Sequence, residues 1–171
     1  MNKDHKGSSL NGYKVAAFYT FTSLDDETIS QLIEKLTLET KSNNVRGSIL
    51  IASEGVNGTI CGLPDEVSLL LSNIQDYLGK KFLEIKFSWT NRQAFRRFKA
   101  RKKKEIVTMG VPQVDPSNIV GNYVEPKEWN KYLTDSHTLV VDTRNEYEVA
   151  IGSFKGSLNP HTDTFREFPR W

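Results

Sequence analysis

Apolar and polar positions follow a regular order over the first ninety residues of this chain. Apolar side chains at every second position predict strands, whereas a spacing of three and four residues predicts a helix with one buried face. These rules predict strands at residues 13–19, 48–52, 58–61 and 83–89, and helices through residues 29–36 and 67–78. The predicted order of elements is therefore β-α-β-β-α-β.

Short local patterns predict where these elements begin and end. Ser23-Leu24-Asp25-Asp26 has the spacing of a helix-capping box, and Asn43-Asn44 is typical of a helix end. Pro64 is expected at the first position of the second helix, and Gly79 is expected to end it. Between the two middle strands, residues 53–58 contain Gly55 and Asn57-Gly58, which predict a turn.

The order β-α-β-β-α-β is that of ferredoxin-like domains, in which two helices cover one face of a four-stranded antiparallel sheet. We therefore predict the α+β class, with a ferredoxin-like (acylphosphatase-like) domain at residues 13–110 and an additional strand at 105–110. This architecture hosts many functions and predicts none by itself. Residues 21–24 lack the arginine or glycine-rich phosphate cradle of an acylphosphatase, and residues 58–61 lack the aromatic rings of an RNA-stacking sheet.

The remainder of the chain predicts a second, smaller unit. Residues 111–122 contain Pro112, Pro116 and Gly121 and are expected to form a linker. Pro126 is expected to start a helix, and residues 139–141 are expected to form an apolar strand. The predicted organisation is a flexible N-terminus at 1–12, the first domain at 13–110, and the start of a second domain at 123–171.

Composition narrows the class of protein. A hydrophobic fraction of 37% with 26% charged residues is typical of a globular protein. The sequence contains neither a stretch of about 18 apolar residues nor an N-terminal signal-peptide pattern. A single cysteine excludes an internal disulfide and fits a reducing compartment. We therefore expect a cytoplasmic protein without membrane contact.

Charge is concentrated in one segment, although the net charge is only +2. Cationic side chains crowd residues 92–104, with no acidic residue before Glu105, so the rest of the chain is net acidic. Such an excess predicts a surface for the phosphates of a nucleic acid, and a solvated linker is the alternative. The predicted nucleic-acid-binding residues are Arg92, Arg96, Arg97, Lys99, Arg101, Lys102, Lys103 and Lys104.

Aromatic residues are interleaved with these cations. Trp89, Phe95 and Phe98 are placed where rings could stack on unpaired bases. The three-residue spacing of Phe95 and Phe98 is equally compatible with a helical contact to a core. The sequence leaves these two interpretations open.

Two further pairs of polar residues also allow two interpretations each. Glu54 and Asn57 either serve the turn alone or contact RNA or the neighbouring domain. Asp142 and Arg144 follow a predicted strand at its carboxyl end, where α/β folds bind ligands. Arg144 then either shapes an anion pocket or pairs with a carboxylate such as Glu148 and stabilises the turn.

No catalytic or metal-binding residue is predicted. Cys61 lies in the middle of a strand, where a lone cysteine is more often a small buried side chain than a nucleophile. His5, His137 and His161 are too scattered to suggest the ligands of a metal ion.

Three segments together resemble the rhodanese-related tRNA uridine hydroxylase family. They are ASEGVNGT at 52–59, FRRFKARKKKEIVTMG at 95–110 and VVDTRNEYEVAIGSFKGSLNPHTDTFREFPRW at 140–171. The resemblance implies a rhodanese-like fold for residues 123–171, with Asp142 and Arg144 as a mainly structural motif. It also implies tRNA as partner, conversion of its wobble uridine to 5-hydroxyuridine, molecular oxygen as co-substrate and a cysteine on a rhodanese loop.

That cysteine loop is expected beyond Trp171, so we expect this chain to supply tRNA binding and to be inactive alone. No organic cofactor is indicated. A rhodanese-type sulfurtransferase and a non-enzymatic module for RNA or protein interaction remain as alternatives. The basic segment favours tRNA, because a small sulfur acceptor does not require so many cations.

Overall fold

The computed structural model describes residues 12–79, 83–111, 114 and 121–171. The chain divides into two compact units, the first ending at Ile106 and the second beginning at Val107. The N-terminus predicted to be flexible lies outside the described residues except for Gly12, as does most of the predicted linker at 111–122.

The first unit is a five-stranded sheet with two helices, which confirms the α+β class and the predicted β-α-β-β-α-β order. The strands lie side by side in the order β4-β1-β3-β2-β5; β5 runs parallel to β2, and the other neighbours are antiparallel. The elements are β1 (Tyr13–Phe21), α1 (Asp26–Glu39), β2 (Arg46–Ala52), β3 (Gly55–Gly62), α2 (Pro64–Tyr77), β4 (Glu84–Thr90) and β5 (Phe98–Lys102).

The ends of the helices differ in part from the prediction. Asp25 caps α1, its carboxylate accepting a hydrogen bond from the Thr28 amide at 2.7 Å, so the predicted capping box at Ser23 is wrong. Helix α1 ends at Glu39, before Asn43-Asn44. Pro64 and Gly79 occupy their predicted positions, Gly79 with a φ of +66° that favours glycine.

The hydrophobic core lies between the sheet and the helices. The apolar faces of α1 and α2 pack on alternate side chains of the central strands, including Phe18 and Ile49. Gly55 and Asn57 lie within β3 and not in the predicted turn, whereas Gly58 lies in a strand as predicted for residues 58–61. A Cβ at Gly58 would stand 2.8 Å from the Phe18 ring, so the packing there favours glycine. The loop between β2 and β3 is therefore only Ser53 and Glu54.

Strand β4 lies at one edge of the sheet and is only partly covered. Leu83 and Ile85 belong to the core or pack against it, as the alternation predicts. Phe87 and Trp89 were expected to face the core as well but are 51% and 64% exposed. Helix α2 packs on β1 and β3, and this placement leaves the end of the edge strand open.

Strand β5 forms the opposite edge, at a position that the sequence did not predict. Residues 105–110 were expected to form a strand and do not. The strand is Phe98–Lys102, within the basic segment, and its backbone bonding continues from Arg97 O (3.1 Å to Gly47 N) to Lys103 N (2.8 Å to Ile51 O). Phe98 and Ala100 pack against the core, which explains why the segment pairs here despite its charge.

The second unit has little regular structure among its described residues. A 3-10 turn at Pro126–Glu128 leads into α3 (Trp129–Thr134), as predicted, and α4 spans Glu146–Val149. The strand predicted at 139–141 is reduced to one parallel bridge between Val141 and Leu158. Within residues 107–111, 114 and 121–171, Pro160 is the only buried apolar residue. A rhodanese-like architecture for this unit stays a prediction.

Candidate nucleic-acid interface

The basic segment is presented on an edge strand, and the alternation of side chains separates it into two faces. Lys99 and Arg101 lie beside Ser48 and Leu50 of β2, on the face of the sheet that carries no helix. Lys102 lies on the helical side, and its ammonium group is 2.7 Å from the Asp26 carboxylate at the start of α1. We call the eight cationic side chains between Arg92 and Lys104 the basic edge.

Most of the basic edge is open to solvent. Lys99 is half-buried, and the other seven side chains are exposed. Burial lowers the pKa of Lys99 from its ordinary value, and the charges of Arg97 and Arg101 add to this effect. A lysine whose positive charge is disfavoured by like charges gains from the approach of an anion. The basic edge is thus suited to polyanions.

The two phenylalanines of this segment lie on opposite faces of the sheet. Phe98 packs against the core, whereas Phe95 lines a shallow depression on the helix-free face. Neither residue is helical, so the interpretation as a helical core contact is wrong. The depression has a volume of about 330 Å³ and is lined by Ser48, Leu50, Asn57, Gly58, Thr59 and Phe95.

The loop that carries Phe95 is held by its neighbours. The Gln93 side chain donates hydrogen bonds to Asn44 O at 2.9 Å and to Cys61 O at 3.0 Å. The Ala94 amide donates to Cys61 Sγ at 3.5 Å. Cys61 itself is fully buried, which confirms its prediction as a packed side chain.

Glu54 and Asn57 have a common partner inside the first unit. Glu54 accepts a hydrogen bond from the Ile106 amide at 2.6 Å, and the Asn57 amide group donates to Ile106 O at 3.0 Å. These bonds hold the chain after β5 against the sheet, a role that the sequence did not reveal. A contact of either residue with RNA or with the second unit stays a prediction.

Asp142 and Arg144 form an ion pair within the second unit. The Arg144 guanidinium donates to both carboxylate oxygens of Asp142, at 2.9 and 2.7 Å, and also to Gly152 O. The bond from Arg144, followed by one from Ser153, holds the pKa of Asp142 well below its usual range. Glu148, the partner suggested by the sequence, instead closes a capping box with Asn145. The ion pair stabilises a turn. The contact between Arg144 and Gly152 joins residues eight positions apart, and the local sequence pattern did not predict it.

A further polar contact in the second unit joins Glu146, Asn159 and His161. The Glu146 carboxylate lies 3.0 Å from both His161 Nδ1 and the Asn159 amide group. Among the described residues, no group of histidine, cysteine or acidic side chains is arranged to hold a metal ion. Nor does any helix in the described ranges have the length and apolar character needed to cross a membrane.

Residues 13–106, more than half of the chain, match the model of a family described as the UPF0176 acylphosphatase like domain. The chain belongs to the UPF0176 family. The family match covers the ferredoxin-like unit and ends at Ile106, the residue that Glu54 and Asn57 bind.

Curated relatives are about 50% identical to this UPF0176 chain over the aligned residues. A protein of Prochlorococcus marinus (strain NATL1A) is 52% identical over 93% of this chain and 50% of its own length. One from Parasynechococcus marenigrum (strain WH8102) is 54% identical over 98% of this chain and 53% of its own length. Both are named tRNA uridine(34) hydroxylase, which confirms the resemblance to that family.

The chain spans about half the length of these relatives. Among solved structures, a bacterial light-regulated adenylyl cyclase matches 54% of this chain and 28% of its own, with 12% identity and a TM-score of 0.46. A similarity at that level carries no argument about function.

Proposed function

We propose that this chain is the tRNA-binding part of a protein that hydroxylates the wobble uridine of tRNA. The observation that carries the proposal is the basic edge, with seven exposed cations on and around one edge strand. The names of the relatives support the substrate class and the reaction. Molecular oxygen is the co-substrate that the family resemblance implies.

The chain itself does not supply the catalytic group in this proposal. Thiol chemistry requires an accessible thiolate. Cys61 is the only cysteine and is fully buried in β3. Cys61 therefore supports neither hydroxylation nor sulfur transfer by these residues, and it is the names of the relatives that favour hydroxylation over the sulfurtransferase alternative.

The proposal is tested by titrating one tRNA against the wild-type chain and its variants at several salt concentrations. Binding through several phosphate contacts should weaken about tenfold or more between low and physiological salt. Changing Arg96, Arg97, Arg101, Lys102 and Lys103 together to glutamine should flatten the salt dependence strongly and weaken binding to all tRNAs alike.

Adjacent positions on β5 provide a matched pair of single variants. Arg101→Gln should weaken binding and reduce the slope of log K against log salt by about 0.7 to 1, since one phosphate contact is lost. Lys102→Gln removes the same charge but on the helical side, where Lys102 pairs with Asp26, and should have a smaller effect. Equal affinity and slope for wild type and the fivefold variant would show that the basic edge is a solvated connector.

A further inference from the structure

The helix-free face of the sheet carries a shallow depression in addition to its cationic side chains. The depression next to β5 combines one aromatic ring, Phe95, one aliphatic side chain, Leu50, and small polar groups from Ser48, Asn57 and Thr59. All five side chains are half-buried, so each is partly accessible while packed against its neighbours. At about 330 Å³ the depression lies at the small end of ligand sites, which span about 300–1,000 Å³.

Cationic side chains stand directly beside this depression. In the register of β2 and β5, Lys99 is opposite Ser48 and Arg101 is opposite Leu50. Neighbouring strands are about 4.8 Å apart, so both cations border the polar and apolar lining. A ligand that fills the depression therefore meets two positive charges on the same face.

The backbone that carries the Phe95 ring is also held in place before any ligand binds. The Phe95 amide donates to the Gln93 side chain at 3.3 Å, and Gln93 and Ala94 are both bonded to Cys61 in the buried strand β3. A ring positioned in advance loses less conformational freedom on binding, which favours stacking.

We propose that this depression binds a single unpaired nucleobase of the RNA, stacked on Phe95, while Lys99 and Arg101 contact the adjoining phosphates. A base offers a flat face for the ring and an edge for the hydroxyl and amide groups. This inference rests on the proposed function and adds to it that the chain recognises a single-stranded segment, and not only the charge of a duplex. A protein side chain in the same depression would leave the two cations unmatched.

The experiment measures binding of the full chain to a short single-stranded oligouridine and to duplex RNA of equal length, for wild type, Phe95→Leu and Phe87→Leu. Phe95→Leu should weaken single-strand binding about 5- to 150-fold, the range for one lost base–aromatic stack. Its salt dependence should be unchanged, because no charge is removed. Phe87→Leu is the control, since this ring is exposed on β4 and lies on the helical side of the sheet.

A cross-linking measurement on the wild-type chain avoids dependence on any variant. Ultraviolet irradiation of the complex with oligouridine, followed by mass spectrometry, should find the nucleotide on the peptide that contains Phe95. A cross-link confined to other peptides overturns the inference.

The outcomes separate the two proposals. If Arg101→Gln weakens the salt-dependent binding but Phe95→Leu does not, the proposed base site is overturned and the basic edge is retained as the RNA-binding surface. An equal loss for Phe95→Leu and Phe87→Leu, or an equal loss on duplex RNA, also overturns it. A wild-type chain that binds neither RNA overturns both proposals.

Discussion

At the scale of single residues, Glu39 links the two helices that cover the sheet. One carboxylate oxygen accepts a hydrogen bond from the Tyr77 hydroxyl, and the other accepts one from the Asn73 side chain at 3.1 Å. The hydrogen bond from Tyr77 to Glu39 is the main cause that raises the pKa of Tyr77 to about 12, and burial of the hydroxyl is the second. Asn73 and Tyr77 are half-buried side chains of α2, so the Glu39 side chain at the end of α1 connects the two helices.

The Tyr77–Glu39 bond should make a measurable, pH-dependent contribution to stability. Tyr77→Phe is expected to lower the free energy of unfolding by about 1.5–3 kcal/mol near neutral pH, the range for a bond to a charged acceptor. Because the pKa in the folded state lies above the ordinary value of 10.0, the contribution is complete below that pH and is lost as pH rises toward 12.

Urea unfolding of wild type and Tyr77→Phe at neutral pH and above pH 10 is the measurement. The difference between the two proteins should shrink in the alkaline range. A difference of the same size at both pH values would contradict the ionisation argument, since only wild type carries this hydroxyl.

At the scale of elements, the segment after β5 is held by side chains from the β2–β3 hairpin. Ile106 is almost fully buried, and its amide and carbonyl groups are bonded to Glu54 and Asn57. The charged segment between β5 and Ile106 is thereby tied to the sheet at both ends. This restraint keeps the basic edge at a defined place on the surface.

Removing the Glu54 carboxylate should loosen this attachment. Glu54→Ala leaves the Ile106 amide without its acceptor and should destabilise the first unit by about 1–3 kcal/mol. Glu54→Gln retains an oxygen acceptor without the charge and should cost less. Chemical denaturation of the three proteins gives the comparison, and alanine and glutamine variants as stable as wild type would show that this bond contributes nothing.

At the scale of the whole molecule, burial is distributed unevenly between the units. Apart from Pro160, every buried apolar side chain in the described residues lies at or before Ile106. Beyond that residue, Leu139, Tyr147 and Ile151 are largely exposed. Stability should therefore reside in the first unit, since burial of apolar surface is the main favourable term in folding.

Hydrogen exchange should show this division directly. Amides in the sheet and helices of the first unit should exchange slowly, whereas residues 138–171 should exchange fast because few apolar contacts oppose local opening. Mass spectrometry of peptides after a series of exchange times gives the measurement. Uniformly slow exchange across residues 138–171 would contradict it and would mean that another element or another copy of the chain packs there.

Local periodicity was sufficient to predict the strands and helices that have a strong apolar pattern. The alternation of β1 and the three-and-four spacing of α1 and α2 determined the ferredoxin-like order, and the position of Cys61 within an apolar run determined its burial. The motifs at residues 52–59, 95–110 and 140–171 were sufficient to identify the family. These are properties that each segment carries by itself.

Properties that depend on which strand neighbours which were decided only by the tertiary structure. Strand β5 was missed because four of the six residues from Lys99 to Lys104 are lysine, and its pairing is stabilised by the distant strand β2. The bond from Ile106 to Glu54 spans 52 residues, and the depression at Phe95 is formed by three separate segments. A local pattern reports whether a side chain will be buried, but contacts across the sheet depend on strand order and register, which no single segment contains.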